Sequence, residues 1–328
     1  MRLILMLAPL ARALVPPGST VAVIGSTGKL GRCAVRELVE QGYRARCLLR
    51  HDAAGAAPRL DAPDATAAEV AAGLAELPNV ELARGDVTDA ASVAALLEGC
   101  SAVLAVHGAR RTRTLADLLP WVDHTADAAH AKRVNYEGVR NVLDAARASG
   151  TVRRVVRVTG KGESPWSIFS ILINLLGSCA KAWNYEGEEL LRAQADVDYT
   201  IVRPGVMGPP PPPGATLVLA DDGGDLPVSP IAHADIARLC VASLAAPNAA
   251  RATLCAMTAP AGEGEASWAP LLARVGPDRR AFPTDMFRRH LLAVRVGGLG
   301  LAAGFGLFAT TAFAVLRAVV RAAAGLLH

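Results

Sequence analysis

Glycines at three-residue spacing give the strongest chemical signal in the sequence. Gly25, Gly28 and Gly31 follow residues 21–24, an apolar and mostly β-branched run that is typical of a buried strand. A helical apolar pattern begins at once, at Leu30. Glycine lets the backbone pass close to phosphates, and the free amides of a helix N-terminus face their negative charge.

The strand, turn and helix therefore predict a site for a dinucleotide pyrophosphate, and a purely structural strand–helix turn is the alternative. The residues predicted to hold the cofactor here are Gly25, Ser26, Thr27, Gly28, Lys29, Leu30 and Gly31.

The end of the second strand carries a signal about which nicotinamide cofactor is bound. Residues 44–50 are predicted to form this strand, which ends in Arg50, and the nearest acidic residue, Asp52, lies outside it. An NAD site would place an acidic side chain here against the ribose hydroxyls, whereas a guanidinium suits a 2′-phosphate. The pattern favours NADP(H), although a solvent-facing arginine would look the same in sequence.

Three further residues follow predicted strands. Asp86, with its neighbour Val87, comes after the strand that begins near residue 79, where a carboxylate can either reach an adenine edge or cap a turn. His107 ends the strand predicted at residues 102–108, at the edge where open α/β sheets bind ligands. A histidine in that place serves either a ligand or a structural hydrogen bond.

The elements that must position these residues alternate between strand and helix through residue 159, which specifies a parallel sheet covered on both faces. We predict an α/β, Rossmann-type doubly wound domain over residues 20–281, with a small C-terminal substrate lobe. Residues 53–77, rich in alanine, proline and aspartate, are predicted to be a surface insertion with one short helix and no chemistry.

Five motifs together resemble a known family. They are Gly25–Gly31, Leu48–Arg50, Gly85–Asp89, Asn135–Asn141 and Tyr199–Gly205. Over about residues 20–260 the chain resembles the atypical short-chain dehydrogenase/reductases, in particular their NAD(P)H-binding, NmrA-like branch, which is found in many photosynthetic organisms. The resemblance implies an NADP-binding Rossmann core and a lobe, including residues 204–213 and 229–237, that closes over the substrate.

The usual catalytic pair of that family is missing. Typical members use a tyrosine acid whose pKa is lowered by a lysine four residues later, because hydride transfer to carbon requires a proton for oxygen. The sequence contains no Tyr-x-x-x-Lys, and the resemblance places Ala180 and Asn184 at the two positions.

Possible substitutes are Thr159, Lys161 and Tyr185. Each also has a structural interpretation. Thr159 would be a strand-end hydroxyl, Lys161 a lysine directed to solvent and Tyr185 an exposed helix aromatic. Asn135 matches a helix asparagine of the family that supports the active-site helix; otherwise it is a polar position on a surface helix.

Two uncharged segments suggest apolar partners. Residues 165–176 are too short to cross a bilayer, and they are predicted to form a substrate wall, to contact a membrane or to pack on the sheet. Residues 296–316 lie between Arg295 and Arg317, follow a basic amphipathic stretch and would form a helix of about 30 Å. We predict a membrane anchor within residues 282–328; a helical hairpin folded onto the domain is the alternative.

The N-terminus and the composition bear on location. Residues 1–19 combine a positive start, a short apolar core and small residues, as in a targeting sequence. We predict a plastid, membrane-associated protein; the alternatives are an apolar arm and a cytoplasmic location. The net charge of +4 is scattered, so nucleic acid is not an expected partner. The six cysteines are far apart and lack metal-ligand spacing, which predicts free thiols and no metal site.

Two functions therefore remain open. The first is an NADPH-dependent oxidoreductase that acts on a small apolar substrate at a membrane. The second is a non-catalytic NADP(H)-binding assembly factor or redox sensor, which the missing tyrosine–lysine pair favours. A membrane-tethered scaffold that binds no cofactor would leave the glycine spacing without a purpose.

Overall fold

The computed structural model describes residues 15–50, 55–110, 125–208, 211–297 and 300. In its first half, strands and helices alternate as the apolar patterns predict. The elements are β1 (Thr20–Ile24), α1 (Lys29–Glu40), β2 (Arg44–Leu49), α2 (Ala67–Ala75), β3 (Val80–Arg84), α3 (Ala90–Leu97) and β4 (Ala102–Ala105).

The second half adds longer helices and a small lobe. A π-helical turn (Lys132–Glu137) runs directly into α4 (Gly138–Ser149). There follow β5 (Arg154–Val158), α5 (Ile168–Leu176), α6 (Ala180–Ala193), β6 (Asp198–Pro204), β7 (Val206–Met207), β8 (Thr216–Ala220), β9 (Pro230–Ile231), α7 (His233–Ala245), β10 (Ala252–Ala259) and α8 (Trp268–Leu272). A last helix, α9, occupies residues 286–297.

One eight-stranded sheet organises the chain, in the order β3-β2-β1-β4-β5-β6-β10-β8. All neighbouring strands are parallel except β8, which pairs antiparallel with β10. The strand order reverses between β1 and β4, and at such a point the loops after the two strands diverge and leave a crevice. The predicted Rossmann-type doubly wound sheet is confirmed.

Helices cover both faces of the sheet, so the molecule has two apolar cores. On one face, Val35 and Leu38 of α1 pack with Leu239 and Leu244 of α7. On the other face, α3, α4 and α6 bury a second cluster that includes Leu191. Alternate residues of β5 enter the two cores, and this alternation directs Arg157 toward α6.

The C-terminal part of the described chain forms the smaller lobe. The short strands β7 and β9 pair with each other outside the main sheet. Beyond them, α5 and α9 are joined by a hydrogen bond of 2.9 Å between Asn174 Nδ2 and His290 Nδ1.

Several predictions lie partly or wholly outside the described residues. Of the predicted targeting segment, residues 1–14 are not described, and of the uncharged run at residues 296–316 only 296, 297 and 300 are. Among the described helices, none is both long enough and apolar enough to cross a bilayer. All six cysteines are described and free.

Candidate cofactor and active site

A cavity of about 500 Å³ lies at the carboxyl ends of β1, β4 and β5, where the strand order reverses. The predicted cofactor residues that line it are Gly25, Thr27, Gly28, Lys29, Leu30, Gly31, Arg50, Asp86, Val87 and His107. The fold thus brings residues from four separate strand ends into one cavity.

The glycines permit the close approaches that the turn requires. Gly25 has φ +93°, in the left-handed region, and a Cβ there would lie 2.8 Å from the backbone nitrogen of His107. A Cβ on Gly31 would collide with the carbonyl oxygen of Gly25. Gly28 precedes α1 without a side-chain cap, so the first amides of the helix remain available to an anion. The cradle therefore fits a dinucleotide pyrophosphate.

Two predicted cofactor residues have structural roles here. Ser26 is fully buried beneath the cavity, and its hydroxyl donates a hydrogen bond of 3.2 Å to the carbonyl of Leu48. Asp86 lines the cavity, but one of its carboxylate oxygens accepts two 2.8 Å bonds, from the amide and the hydroxyl of Thr88. The turn interpretation of Asp86 therefore holds alongside its place in the cavity wall.

The insertion at residues 53–77 reaches the cavity as well. Ala65 and Ala67, at the start of α2, line the wall near the exposed Arg50. Their small side chains carry no chemical signal, so the sequence could not show that this segment encloses the site. The described part of the insertion contains one short helix, as predicted, and it also contributes these two alanines to the cavity wall.

A buried cation lies behind the cavity wall. Arg157 is 1 % exposed, and its guanidinium donates to the carbonyls of Ala105 (3.0 Å) and His107 (2.7 Å) and to Asn184 Oδ1 (2.8 Å). Burial lowers the pKa of Arg157 to about 10, and nearby Glu188 opposes that shift. Asn184, at the position where the family has lysine, lines the cavity with this cation directly behind it.

His107 is a buried histidine with unused hydrogen-bonding capacity. Both ring nitrogens are shielded from solvent, and within the described residues the backbone of Val134 is a polar neighbour of the ring but does not complete a well-formed hydrogen bond. Burial, and secondarily the charge of Arg157, hold the pKa of His107 well below its ordinary value. The neutral ring can therefore offer one donor and one acceptor to a molecule bound in the cavity.

Thr159 lines the cavity at the end of β5, but its hydroxyl already has a partner. It donates a 2.5 Å hydrogen bond to Glu188, which also forms an ion pair with the buried Arg203. Burial alone would raise the pKa of Glu188, but Arg203 and Arg192 reverse this effect and lower it. Thr159 is therefore oriented by an ionised carboxylate.

The other two predicted catalytic residues lie away from the cavity wall. Tyr185 is 1 % exposed, and its hydroxyl donates to the carbonyl of Pro283 at 2.8 Å, so the interpretation as an exposed helix aromatic is wrong. Burial raises the pKa of Tyr185, which makes it a poorer acid. Lys161 forms an ion pair with Asp225.

A lysine that the motif comparison passed over shares the helix face of Asn184. Lys181 lies three residues before Asn184 on α6, and its Nζ donates to Ser170 Oγ at 2.7 Å. Burial, followed by repulsion from Lys161 and Arg203, lowers the pKa of Lys181 to about 8. Its sequence context, between small residues, gave no sign of this environment.

Asn135 connects the cavity loop to α6. It is 1 % exposed, so the surface-helix interpretation is wrong. Its Oδ1 accepts from the amide of Ala109 (3.0 Å) and its Nδ2 donates to the carbonyl of Ala180 (3.3 Å). The supporting role that the resemblance implies therefore has a direct counterpart, made through hydrogen bonds between side chain and backbone.

Comparison with known proteins assigns the chain to a family. The sequence profile of the NAD(P)H-binding family matches residues 25–247, which include the glycine cradle, β4, β5 and α6. The chain belongs to this NAD(P)H-binding, reductase-like family, and its expected cofactor is a nicotinamide dinucleotide.

Two relatives illustrate how far the sequence similarity extends. Protein TIC 62, chloroplastic, from Pisum sativum is 27 % identical over 190 residues, which cover 58 % of this chain and 33 % of that protein. Ceramide reductase from Caulobacter vibrioides is 30 % identical over 190 residues, 58 % of this chain and 47 % of that protein. The chain thus spans between a third and a half of these two relatives.

Solved structures share the fold. An anaerobillin reductase, ChuY, from Escherichia coli O157:H7 aligns with a TM-score of 0.51 and 18 % identity, over 73 % of this chain and 97 % of that one. A short-chain dehydrogenase/reductase from Veillonella parvula, solved with NADP, aligns with a TM-score of 0.52 and 11 % identity, over 73 % and 94 %. At these identities the likeness extends to the fold alone.

Proposed function

We propose that this protein is an NADPH-dependent reductase of an apolar carbonyl compound. The observation that carries the proposal is the single cavity that joins the glycine cradle at Gly25 and Gly31 to Thr159 and Asn184. One end suits a pyrophosphate, and the other offers hydrogen-bonding groups at the carboxyl ends of β4 and β5. Hydride transfer requires both ends of the cavity, one to bind the cofactor and the other to bind the substrate.

The preference for NADPH rests on the charge at the cavity rim. Lys29 and Arg50 both line the cavity, and Arg50 is exposed at the end of β2. A guanidinium binds phosphate through charge-assisted hydrogen bonds, and these are stronger than neutral ones.

Bound NADPH would supply the hydride, and the chain must supply a proton. Thr159, whose proton is held by Glu188, can accept a hydrogen bond and so orient a hydroxyl group of the substrate. We assign the proton to Lys181, because a lysine with a pKa near 8 is partly deprotonated at neutral pH and exchanges protons readily. Lys181 lies one turn before Asn184 on α6, but it is not among the described residues that line the cavity and its Nζ donates to Ser170 Oγ, so this assignment requires the side chain to leave Ser170.

The apolar substrate is supported by a relative. The Caulobacter protein is named ceramide reductase, and ceramide is an apolar molecule. Thr159 and Asn184 are polar groups that this end of the cavity offers for orienting such a molecule, and apolar residues such as Val158 also line it.

A non-catalytic NADP(H)-binding role is the second candidate. It is favoured by the sequence, which lacks Tyr-x-x-x-Lys. The hydroxyl of Tyr185 and the ammonium of Lys161 also have partners within the protein. In this role the chain would bind NADP(H) as an assembly factor or redox sensor, and occupancy would change its affinity for a partner.

We place the protein in the plastid. The relatives named as chloroplast proteins support this location, at 26–27 % identity for the pea and Arabidopsis proteins. Incubation of the radiolabelled full chain with isolated chloroplasts should yield a protease-protected product. If all of the label remains protease-sensitive, the cytoplasmic alternative stands.

The test of the catalytic proposal has two stages. NADPH binding is measured by fluorescence, and its oxidation is then followed with quinones, enones and long-chain aldehydes and ketones. Turnover that falls in Thr159→Ala and Lys181→Met, while NADPH binding is retained, supports the assignment. Lys161→Ala and Tyr185→Phe test the two remaining candidates in the same assay. Tight binding without turnover across the panel would support the sensor instead.

A further inference from the structure

The exposed large apolar side chains of the described residues are concentrated on one face. It consists of Trp166, Phe169, Ile173 and Leu176, at and on α5, with Leu292 and Val296 on α9. Their exposed fractions lie between 49 % and 73 %. We call this the α5–α9 face. Apolar patches of this kind mark sites of interaction with proteins or membranes.

The face belongs to the folded structure, because the opposite side of α5 is fixed by polar contacts. Asn174 accepts hydrogen bonds from the amides of Lys181 (3.0 Å) and Ala182 (3.2 Å), and it contacts His290 on α9. His290 in turn lies 2.6 Å from the carbonyl oxygen of Gly162. The helix therefore buries its polar residues and presents its apolar ones.

The face does not serve the cofactor cavity. Of the described residues, none between 165 and 176 lines that cavity, and Trp166, Phe169 and Ile173 are too exposed to be packed on the sheet. These positions do not support the interpretation of this segment as a substrate wall, and they do not support its apolar side chains as a packed core segment. Contact with a membrane is the remaining interpretation.

The charged residues around the α5–α9 face are positive, which favours an anionic partner. Exposed Arg288, Arg289 and Arg295 alternate with Leu292 and Val296 on α9. The sequence has no acidic residue between 164 and 185 or between 286 and 328. Apolar side chains mixed with arginines suit the interface of a bilayer with anionic headgroups. A second copy of the chain would bring arginines against arginines, which disfavours self-association.

The neighbouring sequence supports the same partner. From residue 296 to residue 316 the chain carries no charged residue, and this run begins on the face itself, at Val296. We propose that the α5–α9 face lies on an anionic lipid bilayer, with the apolar side chains of α5 inserted among the headgroups. The contact is independent of whether the cavity catalyses a reaction.

The test uses the full chain with vesicles that contain brominated phosphatidylcholine and phosphatidylglycerol. Trp166 is 55 % exposed on the face, so its fluorescence should be quenched by the bromine atoms. The Trp166→Phe variant should lose most of the quenching. Introducing Ala148→Trp into that variant, at the exposed end of α4 before β5, should not restore it. Phe169→Glu with Ile173→Glu should reduce the quenching of Trp166 by about twofold or more, because charged side chains resist burial.

The readout at Trp166 remains informative if residues 296–316 hold the chain on the vesicle. Equal quenching in the native chain and in Trp166→Phe would overturn the proposal. The proposal would also be overturned if bromine fails to quench Trp166 on vesicles and acrylamide fails to quench it without lipid. The second result would mean that Trp166 is already covered. In that case another segment of the chain, a second copy or a protein partner covers the face.

Discussion

At the scale of the residue, the choice of nicotinamide cofactor depends on one guanidinium. Arg50 ends β2 at the rim of the cavity and is exposed. The described residues give it no hydrogen bond or ion pair with another side chain, so it is available to a ligand. The sequence placed Arg50 at the end of a strand, but only the fold shows that this strand end opens into the cavity.

Arg50→Gln should weaken NADPH binding by about 10- to 100-fold, because it removes charge-assisted hydrogen bonds to the 2′-phosphate. NADH, which lacks that phosphate, should bind the variant and the native protein equally. Fluorescence titration with both cofactors measures the difference. Arg44→Gln, at the other end of the same strand, is the matched control and should change neither affinity. An equal loss for NADPH and NADH would assign Arg50 a structural role.

Lys181 should titrate with a midpoint near pH 8, below its ordinary value of 10.5. Reductive ¹³C-methylation of the lysines followed by NMR gives the midpoint, and Lys181→Met assigns the signal. Because the unfolded chain binds more protons between these two pH values, Lys181 makes the free energy of unfolding rise with pH across that window. Urea unfolding of Lys181→Met should show a flatter rise. A Lys181 signal that titrates above pH 10 would contradict this environment.

At the scale of the element, buried arginines on β5 and β6 contact polar side chains of α6 on one face of the sheet. Arg157 on β5 meets Asn184, and Arg203 on β6 meets Glu188. Asn184 and Glu188 are one turn apart on α6, so the helix presents a polar stripe above the apolar Leu191. This stripe forms part of the cavity's supporting wall.

Arg157→Met should lower the free energy of unfolding by about 2 to 4 kcal/mol, because buried acceptors on β4, its loop and α6 lose their donor. It should also raise the pKa of His107, since a neighbouring positive charge is removed. Urea unfolding and NMR titration of His107 measure the two effects. Arg157→Lys keeps the charge and should leave the pKa of His107 lower than Arg157→Met does. An unchanged pKa in both variants would show that burial alone sets it.

Much of this architecture could be predicted because its elements carry periodic apolar patterns. Strands β1 and β2 differ from their predicted bounds by a single residue at one end. The cavity residues on the glycine turn followed from their spacing. Arg157 could not be found in this way, because an arginine inside a strand gives no indication of which carbonyls it meets. The interpretation of Tyr185 as an exposed aromatic was wrong because helix periodicity alone does not show which neighbouring segments bury a side chain.

At the scale of the whole molecule, the cavity connects the two halves of the chain. Its wall includes Gly25 after β1 and Thr159 after β5, and also Met207 and His233 from the lobe region. A bound cofactor therefore contacts elements that are distant in sequence. Binding energy should stabilise the whole fold and not only the glycine turn.

NADPH at 100 times its dissociation constant should raise the free energy of unfolding by about 2.7 kcal/mol. Urea unfolding with and without NADPH measures the change, and one coincident transition by fluorescence and circular dichroism is expected. Gly31→Ala should abolish the increase, because the added methyl group collides with Gly25. A transition that splits in two when NADPH is present would mean that the lobe unfolds independently of the cofactor.

The position of β10 also constrains how the chain reaches its native state during synthesis. This strand lies between β6 and β8, although it follows both of them in sequence. A nascent chain that has emerged only as far as Ala220 therefore presents β6 with an unpaired edge and β8 without its partner. Such edges invite pairing with other chains. Protection from aggregation on the ribosome should thus be required until residue 259 has emerged, and a stall before that point should be more harmful than one after it.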